Sequence, residues 1–408
     1  MNGRLTAASH DPAAGVTGGV PMLTALTFAG MAAGTFTITS LGVLASFIID
    51  DLGITRGQLG LIIGADTLFA ALFSPIAGRA ADRLGGRRAL IALFVLAAMA
   101  WVAYGVAPVF GLMFVGALLG GLADASCNPA TNRMIVVRLP PGRRGAVTGM
   151  KQSGVQAGVF FAGVALPTMA VAMGWRTAFA IVAVIPLLFA VATARLVAPA
   201  SRRPRHERSS PGRLPVSIRW LAGFGFLFGV AGAAAVLVPL YVEESLGLDA
   251  RVGGLVAATA GLVAVGARVW WAHLAERTGR VVETLWAMTP IGIVGAMLFL
   301  LAGSAGSWLI WPAAVSFGLS TAAWNGVGML AAMNDAGAAA TGRASGIIIS
   351  GFLLGQGIAP PIYGALVDAT GSYAPMWWLA AAAAFATALL VGAWELQRRR
   401  ERAVRATP

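Results

Sequence analysis

Lys151 is the only lysine among 29 basic residues, and it lies inside an apolar run, Met150-Lys151-Gln152-Ser153-Gly154-Val155-Gln156. An ammonium is a compact point charge whose proton affinity responds to its surroundings far more than that of a guanidinium. Gln152 and Gln156 are four residues apart and therefore share a helix face. A second cation, Arg268, sits in Gly266-Ala267-Arg268-Val269-Trp270-Trp271-Ala272. Two carboxylates, Asp66 and Asp124, lie deep in other apolar runs. Ionisable groups at membrane depth are costly and are functional candidates by default. A cation at membrane depth suits a carboxylate ligand, and carboxylates shielded from water can take up and release protons. Asn128, Asn325 and Trp324 fall on neighbouring runs and could offer hydrogen bonds or packing to a substrate, or merely link helices.

Each of these residues also has a plainer reading. Lys151 is roughly 7–9 Å into its helix, at about 1.5 Å per residue, close enough to snorkel to the interface. Arg268 suits equally a pairing with a carbonyl or acid between helices. Asp66 and Asp124 suit structural contacts with Arg133 or Asn128, and Trp324 and Trp101 suit packing or the membrane interface.

The elements that must position these groups are membrane helices. The chain has 408 residues, 58% hydrophobic and 11% charged. A soluble domain carries about 25% charged residues, so lipid must cover most of this surface. Runs of about 20 apolar residues predict twelve spans, at 21–49, 57–77, 89–107, 109–136, 146–172, 177–197, 219–241, 252–272, 284–303, 307–332, 344–366 and 375–396. Residues 1–20 read as a disordered tail without the pattern of a signal peptide. Residues 21–198 and 219–396 read as two six-helix bundles, 199–218 as a polar linker and 397–408 as a C-terminal tail.

The formal charge of +13 is spread between apolar runs and forms no single basic face, which argues against nucleic acid. Arginines concentrate in alternate loops, among them Arg79, Arg83, Arg87 and Arg88, then Arg138, Arg143 and Arg144, then Arg202 to Arg213, Arg277, Arg280 and Arg343. The other loops hold only Arg56, Arg176 and Arg251. The positive-inside rule predicts that both termini and the linker are cytoplasmic. A lone cysteine, Cys127, excludes an internal disulfide and a cysteine metal cluster, and no nucleophile–base pair points to an enzyme.

The halves repeat each other. Gly121-Leu122-Ala123-Asp124-Ala125-Ser126-Cys127-Asn128 matches Gly318-Leu319-Ser320-Thr321-Ala322-Ala323-Trp324-Asn325, and Ser153-Gly154-x3-Gly158 matches Ser350-Gly351-x3-Gly355, both at an offset of 197. Asp82-Arg83-x-Gly85 matches Glu276-Arg277-x-Gly279 at 194. Asp66 aligns with Ala260, Asp124 with Thr321 and Lys151 with Ile348, so these charges break the symmetry.

Gly78-Arg79-Ala80-Ala81-Asp82-Arg83-Leu84-Gly85-Gly86-Arg87-Arg88 resembles the loop motif G-x3-D-R-x-G-x-R-R of the major facilitator superfamily, in its bacterial twelve-span form. The resemblance implies an all-α membrane fold of two pseudo-symmetric six-helix bundles that works by alternating access. It implies a conformational latch made of Gly78, Asp82, Arg83, Gly85, Arg87 and Arg88, with a weaker copy at Glu276 and Arg277. Asp82 would sit at the start of the eleventh helix, favoured there by the helix dipole, and would hold the outward-open state. The stretch around Arg268 resembles the G-R-x-x-W-G pattern of the family's organic-anion porters, departing from it at Ala267 and Ala272. In the family the fifth and eighth spans pack together, so Lys151 and Arg268 would face one another.

These readings converge on a secondary transporter, a proton-coupled carrier of a small organic anion. Lys151, Arg268, Gln152, Gln156, Asn128, Asn325 and Trp324 would bind substrate, and Asp66 and Asp124 would carry protons. Its expected partners are the anionic solute, protons and the bilayer, with no cofactor, no metal and no nucleic acid. It is expected to act as a monomer in the inner membrane. The alternative is a drug/proton antiporter, whose fifth span usually carries G-x3-G-P-x2-G-G. Here that stretch runs from Gly154 to Val159 without the proline.

Overall fold

The computed structural model describes residues 15–199 and 214–406, almost entirely helical. The helices are α1 (Gly19–Val43), α2 (Ala45–Leu52), α3 (Arg56–Leu84), α4 (Gly86–Val106), α5 (Phe110–Arg138), α6 (Pro141–Met173), α7 (Trp175–Leu196), α8 (Ser217–Ala233), α9 (Val238–Glu244), α10 (Ala250–Thr278), α11 (Val281–Ala305), α12 (Ile310–Leu319), α13 (Asn325–Thr370) and α14 (Ala374–Ala406). Among the described residues, eleven helical stretches are long and apolar enough to span a bilayer, and a shorter apolar stretch, Ser307–Leu319, begins the tenth span. Most of the polar linker, 200–213, and residues 1–14 lie outside the described residues. Residues 15–20 do not follow the expected disordered tail. Val16 pairs with Val197 beyond the sixth span, and Thr17 N–H donates to the Leu196 carbonyl at 2.8 Å.

Three spans are single in the sequence pattern but broken in the structure. The first is interrupted at Leu44, between α1 and α2. The seventh is interrupted by a 3-10 turn, Ala234–Leu237, between α8 and α9. The tenth loses its helix between Leu319 and Asn325, where Ser320 adopts φ −115 and ψ −90. The 46-residue α13 then carries the rest of the tenth span and all of the eleventh. Trp324 and Phe352 are 28 residues apart, about 42 Å along a straight helix, yet their rings lie 5.1 Å apart. The run therefore folds back into two antiparallel arms, with Trp324 wedged between Phe224 and Phe352.

The repeat in the sequence is a repeat in packing. A Cβ on Gly154 or Gly158 would meet the backbone carbonyls of Phe28 or Ala32, and one on Gly351 or Gly355 would meet those of Ala222 or Phe226. The glycines are related by 197 and their partners by 194. Gly121 packs on the Asp66 carbonyl and Gly318 on the Ala260 carbonyl in the same way. Small residues let membrane helices approach this closely. The pairings α1·α6, α3·α5 and α4·α7 recur as α8·α13, α10·α12 and α11·α14, giving two pseudo-symmetric six-helix bundles.

The bundles touch chiefly through α3 against α13 and α6 against α10. Along α3, Gly57, Gly60 and Gly64 lie against Ala365, Pro360 and Gly357. Toward the arginine-rich face these helices part. Leu72 is 66% exposed, and a Cβ on Gly78 or on Gly346 would meet nothing within 4 Å. Along α6 and α10, Gly163 meets Gly254, whereas Gly149 and Gly266 face open space. The molecule is closed at one face and open at the arginine-rich face.

Candidate functional site

Lys151 does not snorkel. It is fully buried in α6, and its Nζ donates to Thr131 Oγ1 at 2.9 Å and to Asn128 Oδ1 at 3.1 Å, with Met31 Sδ 4.0 Å away. Asn128 and Thr131 are three residues apart on α5 and so present one face. The Gln152 side chain also donates to Asn128 Oδ1, at 3.3 Å. Its backbone carbonyl accepts a long bond, 3.4 Å, from Arg268 Nη1 across the bundle boundary. Lys151 and Arg268 therefore do not face one another directly, as the resemblance led us to expect. They stand at the two ends of a polar chain that runs through Asn128 and Gln152.

Arg268 follows its plainer reading in part. Its Nε donates to the Ala322 carbonyl at 2.9 Å, and Trp271 Nε1, three residues on, donates to the Leu319 carbonyl at 2.7 Å. Both carbonyls belong to the broken stretch of the tenth span. Open backbone is tolerated at membrane depth only where protein or a cavity satisfies it, and α10 does so with these two side chains. The Nη2 of Arg268 makes no hydrogen bond among the described residues.

Neither cation has a carboxylate within 4.0 Å among the described residues. Every acceptor they meet in the protein is neutral. Removing a cation from water without a counter-charge is costly, so each cation here has the capacity to accept one.

The other expected site residues separate. Gln156 is buried beside Gly261 of α10. Asn325 begins α13 next to Gly326, which packs on the Arg268 backbone carbonyl, and its Oδ1 is buried without a partner among the described residues. Trp324, expected to contact substrate, is 1% exposed and belongs to the aromatic core. Trp101 packs edge-on against Phe36.

Asp66 is fully buried, and Tyr104 Oη donates to its Oδ2 at 2.9 Å. Its Oδ1 has no partner among the described residues. The structural contact is thus with Tyr104, and neither Arg133 nor Asn128 reaches it. A Cβ on Gly120 would meet Asp66 Oδ2 and lie 3.3 Å from Thr37 Oγ1. Asp124, one turn along α5 from Gly120, is half-buried beside Gly34. Its carboxylate makes no hydrogen bond or ion pair among the described residues, so the expected contacts with Arg133 and Asn128 are absent for it too. The α5 positions 120, 124, 128 and 131 form one stripe leading from Asp66 to Lys151.

In the loop motif, Asp82 and Arg83 are exposed and make no hydrogen bond or ion pair among the described residues. Asp82 borders a groove with Gly78, Pro129, Asn132 and Arg133. Arg87 does meet a carbonyl, that of Ala194, while Arg88, like Glu276 and Arg277 of the second copy, is exposed. Gly85, at φ +79, ends α3 in a conformation that favours glycine.

Three contributors were not identified from sequence. Thr131 was legible as an i, i+3 neighbour of Asn128. Tyr104 gave no signal within its apolar run. Trp271 was quoted only as part of a pattern, because nothing in the sequence marks the break it satisfies.

The family model for the Major Facilitator Superfamily matches residues 26–360. The chain is 24% identical over 370 residues to a probable sulfoacetate transporter of Cupriavidus necator, covering 82% of this chain and 84% of that protein. It is 28% identical over 345 residues to a probable nitrate/nitrite transporter, NarK2, of Mycobacterium tuberculosis, covering 80% and 84%. A hexuronate transporter of Bacillus subtilis is 29% identical over 153 residues, 38% of this chain and 36% of that protein. Among solved structures, the nucleoside transporter NupG has a TM-score of 0.74 at 13% identity, covering 91% of this chain and 98% of that one. A bacterial homologue of the human lysosomal transporter Spinster has a TM-score of 0.72 at 17% identity, covering 93% and 97%. The chain is a multi-pass membrane transporter and belongs to the Major Facilitator Superfamily.

Proposed function

We propose that this transporter is a proton-coupled carrier of a small organic anion, most simply a carboxylate. The observation that carries the reading is the pair Lys151 and Arg268, two cations without a carboxylate partner among the described residues, joined through Asn128 and Gln152 across the bundle boundary. The free Nη2 edge of Arg268 is the natural first contact for a carboxylate oxygen. Asn128, Gln152, Gln156 and Asn325 supply neutral hydrogen-bonding groups around it. Three relatives support the same class: a hexuronate transporter, a probable sulfoacetate transporter and a probable nitrate/nitrite transporter, whose solutes are all anions.

Asp124, beside the site, and Asp66, one turn deeper with an orphan oxygen, are the proton carriers in this reading. The arginine-rich face is the cytoplasmic one by the positive-inside rule, which puts both termini inside and makes this conformation inward-open. In this state the Asp82 latch is released, consistent with its holding the opposite state. The protein works as a monomer in the inner membrane, with residues 21–198 and 219–396 as its two moving bundles. The drug/proton alternative fares worse, since a hydrophobic cation would be repelled by Lys151 and Arg268.

The reading is tested by a thermal-shift screen of the purified protein against small carboxylates, sulfonates, nitrate and hydrophobic cations. A ligand that binds the folded state raises the unfolding temperature, by an amount that grows with the logarithm of its concentration relative to its dissociation constant. Carboxylates should raise it and hydrophobic cations should not. Stabilisation by cations alone would overturn the proposal.

A further inference from the structure

At the closed face a second set of charges joins the bundles, away from the substrate site. Arg56, the first residue of α3, makes a forked pair with Glu244 at the end of α9, Nε to Oε2 at 2.7 Å and Nη2 to Oε1 at 2.8 Å. Tyr373, between α13 and α14, donates to Glu244 Oε2 at 2.6 Å. Asp368, near the end of α13, accepts from the backbone N–H of Gly57 at 2.8 Å and of Arg56 at 3.2 Å, and its Oδ1 lies 3.4 Å from Arg56 Nη1. These four side chains come from the second span, the seventh span, the eleventh span and the connection to the twelfth.

We infer that Arg56, Glu244, Asp368 and Tyr373 form the clasp that holds this face shut and must open once in each transport cycle. Three features argue for a clasp over incidental surface pairing. First, the Arg56–Glu244 pair is bidentate and charge-assisted, the strong form of such a contact. Burial, with the Glu244 hydrogen bond next, holds the Tyr373 hydroxyl above its ordinary range, so it remains a donor to Glu244. Second, Asp368 caps the N-terminus of α3, where backbone N–H groups lack helical partners and the dipole favours negative charge. Third, the clasp crosses the seam at which α3 and α13 are already at backbone contact: a Cβ on Gly364 would meet the Arg56 carbonyl.

The arrangement is reciprocal. Asp368 stands at the C-terminal end of α13 and caps the N-terminus of α3. Asp82 stands near the C-terminal end of α3, at the open face, and makes no hydrogen bond or ion pair among the described residues. The same two helices thus carry a carboxylate at opposite ends, Asp368 capping α3 here and Asp82 given the matching role only by the family resemblance. One is engaged here and the other is free, as expected of clasps that alternate.

Spin labels test this in purified full-length protein with Cys127→Ala as background. One pair, at Asp50 and Ala369, reads the closed face, and another, at Arg79 and Ile347, reads the open face. All four positions are exposed. The unmodified clasp should give mainly a short distance at the first pair. The double variant Glu244→Gln with Asp368→Asn loses the charge assistance and should raise the long-distance fraction about tenfold. The second pair should shorten in step. Arg56→Lys, which keeps the charge but loses the fork, should fall between the two and serves if the double variant does not fold. Unchanged distributions at both pairs would overturn the clasp. So would lengthening at the first pair without shortening at the second, which would mean local fraying.

Discussion

Arg268 Nε lies 2.9 Å from the carbonyl oxygen of Ala322, so the side chain we propose as a substrate contact also satisfies the broken backbone of the tenth span. The two roles share one guanidinium, because Nε and Nη1 face protein carbonyls while Nη2 is free. Arg268→Lys should therefore fail on both counts, since an ammonium cannot hold two carbonyls and an anion in one plane. Uptake of the anion should fall at least about tenfold. The unfolding free energy should fall by about 1.5–3 kcal/mol, the range for a hydrogen bond to a charged group. Proteoliposome uptake and thermal unfolding in detergent read the two effects separately.

Trp271→Phe keeps an aromatic ring at a buried position, smaller than the indole, and removes the N–H that meets the Leu319 carbonyl. Leaving a buried acceptor unsatisfied costs about 1–3 kcal/mol. The variant should unfold earlier while its anion affinity changes little, because Arg268 still holds Ala322. An unchanged unfolding temperature would mean that the break is satisfied otherwise.

Gly60 and Gly64 sit where a Cβ would come within 2.4 Å of the Pro360 carbonyl oxygen and 2.3 Å of the Gly357 carbonyl oxygen. Neither neighbour is a flexible side chain, so Gly60→Ala should hinder closure at this seam and enrich the opposite state. A thiol placed on the arginine-rich face, at Arg79, should then react more slowly with an impermeant maleimide. Faster or unchanged labelling would contradict the seam's role.

How much of this was legible in sequence differs by element. The offsets of 194 and 197 came from glycines, and the structure gives their cause: Gly154 and Gly351 let two helices touch at matching carbonyls. Such close approaches demand one residue type, so they survive as a visible repeat. The break in the tenth span did not show, because Leu319–Asn325 contains no proline, glycine or charge and its open carbonyls are met by Arg268 and Trp271 of another span. Lys151 was visible by its rarity. Its partners were not, since a hydrogen bond between spans leaves no spacing rule in either. Trp324 stayed open between substrate contact and packing for the related reason that an aromatic residue beside a polar one looks the same in a cavity and in a core. The contacts of Arg56 with Glu244 and Asp368 were hidden in the same way: in the sequence Arg56 registers only as a charge on the sparsely charged face.

Asp66→Asn should uncouple transport without abolishing binding. Substrate exchange across proteoliposomes at equal pH should persist, while accumulation driven by a pH gradient should fall about tenfold or more. Tyr104→Phe, which removes the hydrogen bond to Asp66 Oδ2, should alter the pH dependence of accumulation and leave exchange intact. Undiminished gradient-driven accumulation by Asp66→Asn would remove Asp66 from the proton path.

The central claim is that Lys151 and Arg268 together bind an anion. Its most direct measurement is uptake of the anion identified by ligand screening, in proteoliposomes of the wild type, Lys151→Met and Arg268→Ala, each first shown to be folded. Loss of anion uptake in both variants is the predicted result. Uptake at wild-type levels by both would contradict the account.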